Sequence, residues 1–166
     1  LEYDANGLLE RINSPIPGQT NTGNRQTTEF TYDYLGSVES IASPGNNSES
    51  VHTTLLDYGE TPRKGLPVTI TNSNGEEVHL TYDSRGNTLT STDPLGAQSV
   101  TQYNVANQPV VSELPSVSGS GHARTETSYL YPGGPSVQTR AYSEANALMR
   151  TVNTVYGLAG ETLQVT

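Results

Sequence analysis

The chain has 166 residues, a formal charge of −9, no cysteine and only 32% hydrophobic residues, with no Trp and a single Phe. The acidic balance argues against nucleic acid and anionic membrane surfaces as partners, and the absence of cysteine excludes disulfides and thiolate metal sites. The apolar share is low for a compact globule, yet charge is only 15% and β-formers are frequent, so the composition reads as a broad sheet with one modestly apolar and one wet face, whose edges need neighbours.

In chain order, Tyr3-Asp4 opens a turn that ends at Gly7 and re-enters a strand at Leu9. Segment 13–28 is rich in Ser, Asn, Gly, Pro and Thr and reads as a long loop. Tyr32-Asp33 repeats the first turn, with Gly36 and Val38 in the matching places, and segment 43–50 reads as a second loop. That loop carries Asn46-Asn47-Ser48, a glycosylation sequon relevant only to a eukaryotic secretory protein. Between Tyr32 and Tyr82 there is room for a further unit, with Tyr58 as its tyrosine. Val68–Tyr82 is the clearest hairpin. Val68 and Ile70 alternate with threonines, Asn72-Ser73-Asn74-Gly75 turns the chain, and Val78, Leu80 and Tyr82 return on one face with His79 and Thr81 on the other.

Asp83–Asn87 then forms a turn, Thr88–Thr92 a strand, Asp93-Pro94-Leu95-Gly96 a turn with φ preset by proline, and Ala97–Tyr103 a strand. Tyr103 leads to Asn107 four residues on. Segment 115–125 reads as a loop, with 116–121 its flexible part, and Pro132-Gly133-Gly134-Pro135 reads as a rigid turn. Ser143–Arg150 is contested: it holds good helix formers, and Ser143 could cap a helix, but Tyr142, Asn146 and Leu148 fit the strand–turn–strand pattern, which is the preferred reading. Tyr156 and Gly160 close the series.

The recurrence outweighs any single turn. Seven of the ten tyrosines are followed four residues later by Gly or Asn. Gly and Asn together are frequent enough to place fewer than two such hits by chance. An aromatic residue suits the end of a half-buried strand. The last turn position needs positive φ, which Gly takes freely and Asn tolerates next best. An Asp behind the tyrosine can fold its carboxylate onto the turn's own amides. A short unit repeated in this way decides the fold.

Tyr82-Asp83-Ser84-Arg85-Gly86-Asn87, followed by Thr92-Asp93-Pro94-Leu95-Gly96 and Tyr103-Asn104, resembles the YD repeats of the Rhs family. That family takes in bacterial Rhs toxins, C-type subunits of insecticidal toxin complexes and the teneurins. The likeness is sharpest from Asn72 to Val111, clear at Tyr3–Ile12 and Tyr32–Ile41, and degraded from Tyr129 onward. It implies an all-β fold in which antiparallel hairpin repeats form part of a spiralling shell. On this reading residues 1–166 are one segment cut from a longer polypeptide. The structural repeat positions are Tyr3, Gly7, Tyr32, Gly36, Tyr82, Asp83, Gly86, Asp93, Gly96, Tyr103, Asn107, Tyr142, Asn146, Tyr156 and Gly160.

Reactive chemistry is sparse. In Rhs toxins an Asp-Pro-x-Gly motif helps form a self-cleaving aspartyl centre. Here the flanking positions are Thr88 and Ala97, which depart from that pattern, so Asp93–Gly96 reads as an ordinary turn. His52, His79 and His122 share no spacing, and no Asp-rich calcium ladder occurs, so no metal or cofactor is expected. Glu76 and Glu77 are strand neighbours that point to opposite faces, a poor arrangement for acid–base work. The expected role is structural and non-catalytic, in a shell that encapsulates a C-terminal toxin or effector. The expected partners are further YD repeats and the enclosed domain, with export to the cell surface or beyond and no membrane insertion. The alternative is a cell-surface adhesion module that binds carbohydrate or a protein receptor through tyrosines on the exposed face.

Overall fold

A computed structural model describes residues 1–15, 25–44, 51–59, 65–116, 121–130, 136–157 and 161–166. Among these residues every regular element is a β-strand. The chain divides into two compact units, Leu1–His79 and Leu80–Thr166. The first holds β1 (Glu2–Tyr3), β2 (Leu9–Pro15), β3 (Arg25–Tyr32), β4 (Val38–Pro44), β5 (Val51–Asp57), β6 (Thr69–Thr71) and the start of β7 (Glu77–Tyr82). The second holds the end of β7, then β8 (Thr88–Thr92), β9 (Gln98–Tyr103), β10 (Pro109–Glu113), β11 (Arg124–Leu130), β12 (Ser136–Tyr142), β13 (Leu148–Tyr156) and β14 (Thr162–Val165). Within each unit every strand lies beside the one before it in the chain, and neighbours pair antiparallel, as between β3 and β4 or β11 and β12. The all-β, antiparallel hairpin-repeat fold read from the sequence is the fold found.

Register sorts the side chains into two faces, because residues directly opposite in an antiparallel pair share a face. In the first unit Phe30 faces Ile41, Leu56 faces Ile70, and Ile70 faces Val78. The other face carries Arg11 opposite Glu29, Thr71 opposite Glu77 and Thr69 opposite His79. In the second unit Tyr129 pairs with Val137, and Thr139 with Val152, whereas Glu126, Arg140 and Thr151 form a polar row. Along β7 the residues alternate between exposed and half-buried, with Val78, Leu80 and Tyr82 the covered set.

Neither unit has a conventional core. Among the described residues no hydrophobic side chain is fully buried. A sheet normally hides its apolar face against a second layer, and here that face is only half-covered. Area burial therefore contributes less than in a two-layer domain, and cross-strand pairs matter correspondingly more. Hydroxyls bridge strands at Thr31 and Ser40 (2.7 Å) and at Thr81 and Thr90 (2.6 Å).

Composition overstates the loops. Asn13–Pro15, residues 25–28, Ser43–Pro44 and residues 124–125 belong to strands rather than to the loops expected over 13–28, 43–50 and 115–125. The physical reason is that Asn and Thr can satisfy each other across a ladder: the Thr27 hydroxyl donates to Asn13 Oδ1 at 2.8 Å. Residues 117–120, the sequon at 46–48, and the turn at 132–135 lie outside the described residues. The contested segment is strand–turn–strand: β12 ends at Tyr142, Asn146 has φ 61°, and β13 begins at Leu148.

Candidate functional site

The candidate site is the set of turns, and each is built from one local rule. In the first copy the Gly7 amide donates to the Asp4 carbonyl (3.1 Å), and the Asp4 amide to the Leu8 carbonyl (2.8 Å). Asp4 Oδ1 accepts from the amides of Asn6 and Leu8 at 2.9 and 2.8 Å. This is a tight turn closed by a left-handed bulge residue, with the side chain capping amides the turn would leave open. The same paired bonds recur at Asp33, with Leu35 and Ser37, and at Asp83, with Arg85 and Asn87. They recur at Asp93, with Leu95 and Ala97. Asn72 and Asn104 do the same work through an amide oxygen. Ser143 caps only the Ala147 amide, at 3.3 Å. At the closing position Gly7, Gly36, Gly75, Gly86 and Gly96 have φ between 79° and 91°, and Asn107 stands at 60°.

Removing the capping oxygen should weaken the turn. Asp33→Ala leaves the Leu35 and Ser37 amides without their acceptor and is expected to cost about 1–2 kcal/mol. Asp33→Asn should cost less than about 0.5 kcal/mol, because Asn72 and Asn104 make the same two bonds. Urea unfolding of both variants checks the pair.

Antiparallel order sends successive turns to opposite ends of a sheet, and the tyrosines are sorted by end. In the first unit Tyr3, Tyr32 and Tyr58 precede the β1–β2, β3–β4 and β5–β6 connections, all at one end. In the second unit Tyr82, Tyr103 and Tyr156 precede β7–β8, β9–β10 and β13–β14, again at one end. The opposite turns at Asn72 and Asp93 follow Thr71 and Thr92 instead.

The sorted tyrosines do more than end strands. The Tyr32 hydroxyl donates to the Leu9 carbonyl at 2.6 Å, Tyr58 to Val38 at 2.8 Å, and Tyr129 to Pro109 at 3.0 Å. Each acceptor stands six residues after an earlier tyrosine of the same end: Tyr3, Tyr32 and Tyr103. The hydroxyl thus latches the end of one strand to the start of the strand before it. The three latched pairs also share one register, seen in Arg11 opposite Glu29, Ala42 opposite Thr53, and Val111 opposite Glu126. Partial burial pushes the Tyr58 hydroxyl above its ordinary pKa, aided by the nearby Asp33 charge, and burial does the same at Tyr82. Both shifts favour the neutral, donating phenol.

Tyr142 behaves differently. It sits at the opposite end, and its hydroxyl donates to Glu126 Oε2 at 3.1 Å. The Arg124 guanidinium lies 4.1 Å from the centre of its ring, a cation–π contact, and also bonds Glu126 Oε1 and Asn146 Oδ1. Arg124, followed by Tyr142, holds the Glu126 carboxyl below its usual pKa range. Same-end turns are linked to each other in the second unit: Arg85 Nη1 donates to the Val105 carbonyl at 2.7 Å, and Asn87 Nδ2 to Asn107 Oδ1 at 3.1 Å.

A shallow groove of about 210 Å³ lies between the Asp4 and Asp33 turns, lined by Glu10, Phe30 and Tyr32 among others. One oxygen of each Asp there already accepts two turn amides. Among the described residues no cluster of His, Asp or Glu is arranged to hold a metal ion. Among the same residues no helix is long and apolar enough to cross a membrane.

Residues 63–98 match the family model described as RHS Repeat. This match supports membership in the Rhs/YD-repeat family. No curated protein matches it. The matched stretch takes in β6, β7, β8 and the Asn72, Asp83 and Asp93 turns. The structure places Tyr3, Tyr32, Tyr82, Tyr103 and Tyr156 at strand ends, and Gly7, Gly36, Gly86, Gly96, Asn107 and Asn146 at positive φ. Asp83 and Asp93 are cappers. Gly160 lies outside the described residues. The sequence reading missed the latch acceptors Leu9, Val38 and Pro109, and the cappers Asn72, Asn104 and Ser143. The cappers carry a signal, an Asx or Ser three residues before a Gly or Asn. The acceptors carry none beyond their spacing.

Proposed function

We propose that the chain is a non-catalytic wall segment of an Rhs/YD-repeat shell that encapsulates or carries a C-terminal toxin or effector domain and is exported from the cell. Further repeats of the same polypeptide are its first partners, and the enclosed domain is its second. The observation that carries this reading is a sheet of iterated turns without a single fully buried hydrophobic side chain among the described residues. Such a sheet suits a wall completed by neighbours better than a free-standing domain. The capping of Leu95 and Ala97 by Asp93 Oδ1 favours a turn at that motif over a self-cleaving centre.

The test uses the parent polypeptide under limited proteolysis. The downstream domain should resist digestion when the repeats are intact and be cut once Tyr32→Ala and Gly36→Val loosen them. Equal digestion of both proteins would remove the encapsulation reading. Asp93→Asn should leave processing of the parent unchanged; loss of a cleavage product would move the protein to the enzymatic class.

One observation favours adhesion as a second reading. Tyr34, at the tip of the Asp33 turn, is 92% exposed, unlike the latched tyrosines. Glycan-array or pull-down binding abolished by Tyr34→Ala would support it.

A further inference from the structure

Two turns place an asparagine directly before the closing glycine: Asn6-Gly7 in the Asp4 turn and Asn74-Gly75 in the Asn72 turn. At the other turns of this form the place holds Leu35, Arg85, Leu95, Ala106 or Ala145. The pairing has a chemical consequence. A backbone nitrogen can attack the side-chain carbonyl carbon of the asparagine before it, and glycine, without a Cβ, offers the least hindered nitrogen. The two copies share one frame. Gly7 and Gly75 stand at φ 83° and 79°, and their amides donate to the Asp4 and Asn72 carbonyls at 3.1 and 2.9 Å. Asn6 and Asn74 are both exposed, and a Cβ added at either glycine would meet nothing within 4 Å.

The copies differ in what surrounds the reacting atoms. Asn6 Nδ2 lies 3.5 Å from Asp4 Oδ2, whereas the Asn74 carboxamide makes no hydrogen bond among the described residues. The capper of the first turn is a carboxylate and that of the second is a neutral amide. The acid of the second turn, Glu76, accepts from Asn72 Nδ2 at 2.6 Å, so its charge meets that nitrogen rather than the Oδ1 shared by the turn amides. A carboxylate beside the attacking amide opposes loss of the amide proton, because that loss would create a second negative charge.

We propose that Asn74-Gly75 is a site of spontaneous modification, at which the Gly75 nitrogen closes on the Asn74 side chain and converts asparagine to aspartate and isoaspartate. The Gly75 amide gives its proton to hydroxide, and its nitrogen bonds to Asn74 Cγ. The Cγ–Nδ2 bond breaks, and the nitrogen leaves as ammonia with a proton taken from water. Water then opens the five-membered imide. Attack at Cγ yields aspartate; attack at the main-chain carbonyl yields isoaspartate, whose main chain is one carbon longer. Water is the only co-reactant. In the closed turn the Gly75 amide is committed to the Asn72 carbonyl, so ring closure starts from a locally opened turn.

The damage falls where the turn is tightest. The added carbon lies between the Asn74 and Glu76 amides, which share Asn72 Oδ1 at 2.9 and 3.0 Å. It also displaces Ser73, whose hydroxyl accepts from the Thr53 amide at 2.6 Å and donates to the Thr53 carbonyl at 3.1 Å. Isoaspartate therefore loosens the β6–β7 hairpin and its tie to β5.

The test is incubation of the full chain at neutral and mildly alkaline pH, with peptide mapping by mass spectrometry and isoaspartate detected by an isoaspartyl methyltransferase. Asn74 should convert about fivefold faster than Asn6, the effect of one unit charge a few ångströms away in water, and both rates should rise with pH. Asn72→Asp should slow Asn74 to the rate of Asn6, and Asp4→Asn should speed Asn6 to match. Asn74→Gln should abolish the product at that turn. In strong urea, where no turn holds the capper in place, the two sites should converge. Equal rates in the folded chain, faster conversion at Asn6, or a difference that persists unchanged in urea would overturn the proposal.

Discussion

Gly36→Val is expected to destabilise the chain by about 1–3 kcal/mol, the cost of holding a β-branched residue in the left-handed region. Gly36 has φ 83°, and an added Cβ would meet only Leu8 Cδ1, at 3.9 Å. That is an ordinary contact, so the penalty is conformational rather than steric crowding by a neighbour. The chain supplies its own control. Asn107 and Asn146 occupy the equivalent turn position at 60° and 61°. Gly36→Asn should therefore cost well under half as much as Gly36→Val, and Asn107→Gly should be close to neutral. Urea denaturation gives the totals. Exchange of the Gly36 amide, which donates to the Asp33 carbonyl at 3.1 Å, reports whether the loss is local. Equal stability of the valine and asparagine variants would show that the bend is not the determinant.

Tyr32→Ala should cost roughly 2–3 kcal/mol, less than for a fully buried aromatic because the ring is only half-covered. Tyr32→Phe should cost about 1 kcal/mol, the share of the 2.6 Å latch to Leu9. The difference between the two variants measures ring packing against the hydroxyl. Tyr34, two residues on, is the negative control: at 92% exposure its change to Ala should stay within about 0.5 kcal/mol. If Tyr32→Phe proved neutral, the shared register of the latched pairs would need another cause.

How far the sequence revealed this follows from where each signal is stored. The turns were legible because their chemistry is local: Asp, two variable residues and Gly lie within one stretch of chain, and side chain and backbone satisfy each other there. The Tyr58 unit was only half legible. Its tyrosine lacks a Gly four residues later, and Gly59 takes the positive φ instead. The end at which Tyr142 lies was not legible, since it depends on how many strands intervene rather than on any residue beside it. Nor were the latch acceptors. A carbonyl has no side-chain identity, and Leu9, Val38 and Pro109 have nothing in common except position. The extent of the strands was understated for a related reason, since Ser, Asn and Thr look like loop residues until their cross-strand partners are known.

The in-order pairing of the strands carries a mechanical consequence. Each strand finds its mate in the segment just made, so no long excursion of chain has to close before structure appears. Within each unit such a chain can therefore form one hairpin after another, in the order of its sequence. Pulled from its termini in a force experiment, it should give way in a series of small steps rather than in a single rupture.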